Sequence, residues 1–153
     1  MTTMEMIRIF ADTMGQTRGT YSGLYEDLIT EEYKEWEELQ TKYMDELQDL
    51  EGDARKELVN KIKEHELKEL SDLIYVIYGY CYHQGWDIDE AVYRVHVNNI
   101  GRCLQPDGTI KRDHRGKIIK NKDYRKVDLR DLVNVTIRYG EVFRGDWKGF
   151  MDD

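Results

Sequence analysis

The chain has 153 residues but only one proline, two cysteines and three phenylalanines. A single proline and 12 glycines are too few turn residues for a sandwich of many short strands, and they exclude a collagen-like repeat. The cysteines, Cys81 and Cys103, form no Cys-x-x-Cys pair, so neither a structural zinc knuckle nor a dithiol redox centre is available. A reducing, cytoplasmic setting is the expectation. The longest stretch without a charged residue, Leu73 to Trp86, carries tyrosines, His83 and Gln84 and is too short to cross a bilayer. Met1 to Gly15 has Arg8 in its middle and no small-residue cleavage pattern, so no secretion signal is expected and no membrane partner. Positive charge is also scarce: 23 Lys and Arg against 31 Asp and Glu leave a net charge of −8. That balance repels polymeric nucleic acid, yet it allows a small phosphorylated molecule carried in with a metal ion.

What is present points to helices. With 40% apolar and 35% charged residues, the chain can build one core beneath long, solvent-exposed helical faces, and its length suits a single domain over residues 1–153. Met4, Ile7, Phe10, Ala11 and Met14 repeat at helical spacing up to Gly15, predicting a short first helix. A Thr, Ser and Gly-rich loop follows at 16–23. A long helix is expected from about Leu24 towards Leu50, and another from about Ala54 to Gly85, broken only by Glu51-Gly52-Asp53. Asp87, with Glu90 at capping-box distance, starts a further helix to about Gly101. Turn signals at Gln105-Pro106-Asp107-Gly108 and His114-Arg115-Gly116 predict a basic hairpin or irregular segment over about 103–127. Helical spacing returns from Asp128 to Tyr139. The expected fold is therefore all-α: a bundle of four to five helices with a small hairpin or irregular segment.

The acids on two of these helices stand in unusual places. Leu24, Leu28, Glu32, Glu35 and Leu39 follow at steps of four, four, three and four, one stripe of a helix. Lys34, Glu37 and Glu38 point the other way, so the solvent face already has its own charges. On the next helix Leu70, Leu73, Ile74, Ile77 and Cys81 form an apolar face, with Glu69 and Asp72 on the adjacent stripe. A buried carboxylate costs several kcal/mol or must protonate unless a cation or strong donors compensate it. Glu-x-x-Glu facing Glu-x-x-Asp offers paired oxygen ligands suited to a hard divalent cation. A di-iron bundle would need Glu-x-x-His on two helices, and none of His65, His83, His96 or His114 has a Glu three residues before it. The bland alternative is that these acids are solvated.

Glu31-Glu32-Tyr33-Lys34-Glu35 as EExxE and Glu69-Leu70-Ser71-Asp72 as ExxD resemble the motif pair of the MazG-like nucleotide pyrophosphohydrolases. These belong to the all-α NTP pyrophosphatase superfamily, which includes phosphoribosyl-ATP pyrophosphohydrolase. Ser71 to Gly79 resembles the helix after the ExxD acid, and His96, Asn99 and Arg102 resemble a His-x-x-Asn-x-x-Lys segment, with Arg in place of the usual Lys. Asp107-Gly108, Gly116-Lys117, Lys120, Tyr124 and Asp128-Leu129 resemble the family's trailing segment. The spacing between Glu35 and Glu69 is longer than in relatives, which implies extended helices.

The resemblance implies hydrolysis of a nucleoside triphosphate, or a related nucleotide, to the monophosphate and pyrophosphate with Mg²⁺, for which Mn²⁺ is a possible substitute. It implies Glu32, Glu35, Glu69 and Asp72 as metal ligands. Glu31 is the candidate for holding or deprotonating water, which places Glu31, Glu32 and Glu35 in the catalytic group. Asn99, Arg102, Lys117, Lys120, Tyr124 and Arg125 are the candidates for substrate phosphates, against the alternative of solvated surface charge. Trp36, Trp86, His83 and His96 are read as structural, and neither cysteine has a basic partner. A homodimer or homotetramer is expected, because long helices with apolar residues around most of their circumference need covering. The rival function is a non-catalytic helical interaction module or inactive relative; a metal-storage bundle is disfavoured by the missing Glu-x-x-His pairs.

Overall fold

The computed structural model describes residues 1–133, together with the backbone of 136–138 and 141–143. Its elements run α1 (Thr3–Thr13), α2 (Ser22–Lys42), α3 (Met44–Asp49), α4 (Gly52–Gln84), α5 (Ile88–Cys103) and α6 (Arg130–Val133), then β1 (Thr136–Arg138) and β2 (Glu141–Phe143). The architecture is the expected all-α bundle. Among the described residues no helix is long and apolar enough to cross a membrane.

Local chemistry fixes the ends of the helices. Thr2 caps α1 through a capping box, its hydroxyl accepting from the Glu5 N–H while the Glu5 carboxylate takes the Thr2 N–H. Helix α4 ends at Gly85, whose φ of 74° is open to glycine but strained for other residues. Asp87 caps α5 by accepting from the Glu90 N–H at 3.0 Å. The Glu90 carboxylate does not complete a capping box; it accepts from Arg94 Nε at 2.7 Å instead.

Helix α4 organises the bundle, with α2 packed along it and α1 crossing its C-terminal half. Met4, Ile7 and Ala11 of α1 meet Cys81 and Tyr82 of α4 in a core covered by Tyr75, Tyr78, Trp86 and Ile88. Tyr25 of α2 is buried against Gly79, where an added Cβ would stand 2.0 Å from the tyrosine Cε1. Next to it His83 is fully buried, accepting the Gly19 N–H on Nδ1 at 3.2 Å and enclosed by the rings of Tyr21, Tyr25 and Tyr82. His96, read as structural beside it, is exposed on α5.

Two expectations need correction. The single helix from Leu24 towards Leu50 is divided at Tyr43, whose φ of −108° and ψ of 8° leave the helical region; its hydroxyl is held by His65 of α4 at 3.0 Å. On α4, Leu67 and Ile74 are 67% and 53% exposed. The helix expected from Asp128 to Tyr139 shrinks to α6, and Thr136 instead begins β1, which pairs antiparallel with β2. Thr136 and Ile137 are β-branched and favour extended backbone. Tyr139 and the tail from 144 lie outside the described residues.

The basic segment after α5 is irregular, as expected. One antiparallel bridge, Arg112 to Ile118, encloses the turn ending at Gly116. The segment then folds back on α5: Asn121 N–H donates to the Arg102 carbonyl at 2.8 Å, and Asn98 Nδ2 to the Arg125 carbonyl at 2.7 Å. Arg94 forks onto Asp131 at 2.6 and 2.9 Å, tying α5 to α6.

Candidate metal centre

The long contact between α2 and α4 brings acids of both motifs to one place. Glu32 and Glu35 descend from α2 and Glu69 from α4, and one carboxylate oxygen from each lies within 4.8 Å of the others. Glu69 is only 3% exposed. Its Oε1 accepts from His65 Nε2 at 2.9 Å and Lys68 Nζ at 3.3 Å. Its Oε2 is buried without a hydrogen-bond partner, as is Oε2 of Glu32.

Crowding of like charge shows in the proton affinities. Burial and the charges of Glu35, Asp72 and Glu69 raise the Glu32 carboxyl above its ordinary value. Desolvation, the close approach of the Glu69 carboxyl and the charge of Glu31 do the same for Glu35. Lys68 answers part of this negative charge: its hydrogen bonds to Asp72 and Glu69 push its ammonium upward.

The expected site residues divide into two groups. Glu32, Glu35 and Glu69 come together, and Asp72 sits beside them with its carboxylate on Lys68 at 2.8 Å. Glu31 is exposed next to them. Asn99, Arg102, Lys117, Lys120 and Tyr124 lie on α5 or in the segment after it, and among the described residues α5 makes no extended contact with α2 or with α4. Asn99, Lys117 and Lys120 are exposed, Arg102 is half-buried, and Tyr124 lays its ring on Gly101. Two residues with a part at the centre were not among the candidates, His65 and Tyr43. His65 had a legible signal, standing four residues before Glu69 on one helical face; Tyr43 had none.

The donor set suits a hard divalent cation. All three ligating atoms are oxygens, they come from two facing helices, and two buried carboxylate oxygens lack any donor. Cys81 offers no competing chemistry, since burial pushes its thiol up to about 11. No protein-family model and no curated protein matches the chain.

Proposed function

We propose that this chain is a Mg²⁺-dependent nucleotide pyrophosphohydrolase of the MazG-like kind, cleaving a nucleoside triphosphate or related nucleotide to the monophosphate and pyrophosphate. The observation that carries the reading is the buried Glu69, which clusters with Glu32 and Glu35 and keeps an unpartnered Oε2. A bound divalent cation supplies neutralisation of phosphate charge and acidification of a water. Glu32, Glu35 and Glu69 would hold it, and Asp72, now on Lys68, would be a fourth ligand. Glu31, exposed at the rim, holds or deprotonates the attacking water. A cytoplasmic location fits such a substrate.

Asn99, Arg102, Lys117, Lys120 and Tyr124 are assigned to the phosphates. Since α5 makes no extended contact with α2 or α4 among the described residues, a homodimer or homotetramer would supply these groups from a neighbouring copy. The test is to incubate the full chain with canonical and modified nucleoside triphosphates plus Mg²⁺ or Mn²⁺ and identify the released phosphate species. Pyrophosphate is expected, with Glu35→Gln and Asp72→Asn reduced to background while remaining folded. Variants that turn over like the parent, or no release from any substrate, overturn the assignment.

A second reading, a helical interaction module, is favoured by α5, where Val92, Tyr93, Val97 and Ile100 are between 47% and 61% exposed. In that case the carboxamide variants retain all partner binding and no nucleotide is hydrolysed.

A further inference from the structure

Resting on the metal reading above, we propose that Tyr43 and His65 are positioning residues that hold Glu69 in the orientation a divalent cation requires. The three groups form a continuous chain. Tyr43 Oη meets His65 Nδ1 at 3.0 Å, and His65 Nε2 meets Glu69 Oε1 at 2.9 Å. A carboxylate only accepts, so Nε2 carries the proton; in a neutral imidazole Nδ1 then offers its lone pair to the Tyr43 hydroxyl. In that tautomer both hydrogen bonds run in one direction, from Tyr43 through His65 to Glu69.

The arrangement selects between the two oxygens of Glu69. His65 and Lys68 both donate to Oε1, and Oε2 is buried with no partner. Rotation of the carboxylate would break both donations at once. His65 is not itself a ligand, since the oxygens that come within 4.8 Å of one another are those of Glu32, Glu35 and Glu69. The chain also explains why α2 stops at Tyr43: the non-helical backbone there delivers the hydroxyl to α4. Hydrogen-bonded partners of this kind typically change metal affinity by about 10–100-fold.

Mn²⁺ is titrated into the full-length parent, His65→Ala, His65→Gln and Tyr43→Phe, with thermal melting recorded on each. His65→Ala is expected to weaken Mn²⁺ binding by about 10–100-fold, and Tyr43→Phe by a smaller factor. His65→Gln, whose amide N–H reaches towards Glu69, recovers part of the loss. Tyr43→Phe added to His65→Ala costs nothing more, because the chain is already cut. Should His65→Ala fail to fold, Tyr43→Phe decides alone. Variants that melt lower yet bind Mn²⁺ like the parent overturn the positioning role and leave the metal centre standing. A parent that binds no Mn²⁺ removes both.

Discussion

Gly79 lies inside a long helix, where glycine costs about 1 kcal/mol relative to alanine, and composition gives no reason for it. The reason is Tyr25, whose ring occupies the space of a Cβ and whose hydroxyl donates to Gln16 Oε1 at 3.1 Å. Gly79→Ala is therefore expected to destabilise the fold by about 1–3 kcal/mol despite its better helix propensity, measurable by denaturant unfolding; an unchanged or raised midpoint would mean the ring moves aside freely. His83 sits beside it, with burial lowering its pKa from 6.5 to about 4. The folded state thus refuses a proton that the unfolded chain accepts below pH 6.5. Its contribution is fully present above that pH and is lost as pH falls towards 4, about 3 kcal/mol in all. His83→Asn, which keeps an acceptor near the Gly19 N–H, is expected to flatten this loss in melts across that window. That His83 is structural was legible from its apolar neighbours; the identity of its lone donor, a loop glycine 64 positions away in sequence, was not.

Element boundaries were legible where local chemistry sets them and illegible where packing does. Thr2, Gly85 and Asp87 cap helices by interactions within a few residues, so α1, the end of α4 and the start of α5 follow from the chain alone. The break at Tyr43 depends on His65 across the bundle, and residues 40–46 contain neither glycine nor proline to announce it. The acidic stripe was readable because period 3.6 places Glu32 and Glu35 together whatever lies opposite. Helix α5 shows the limit of that approach: its pattern gave the helix but not its lack of an extended contact with α2 or α4 among the described residues. Its outer face also carries a prediction about assembly. If α5 docks on a second copy, Val92→Glu with Ile100→Glu is expected to shift the chain from oligomer to monomer by light scattering, with helix content retained. A parent that is already monomeric at micromolar concentration would remove that assignment and favour docking of another protein.

For the whole molecule, the acidic cluster makes stability depend on pH and cation together. Glu32 and Glu35 hold protons more tightly folded than unfolded, so the folded state binds more protons across the interval between the two pKa values. Stability from this source is highest where both carboxyls are protonated. It falls as pH rises from the ordinary carboxylate range through their raised folded values, opposite in sign to the contribution of His83. A cation that binds the ionised carboxylates stabilises the fold by mass action, and more so where protons no longer compete. Millimolar Mg²⁺ or Mn²⁺ is therefore expected to raise the melting temperature of the parent more at pH 8 than at pH 5. Without metal, Glu35→Gln relieves the repulsion on Glu69 and is expected to melt above the parent at pH 8, while gaining less from added cation. If Glu35→Gln instead melts below the parent and responds to Mn²⁺ equally, these carboxylates are ordinary solvated charges, and the net charge of −8 has no focus on the α2–α4 seam.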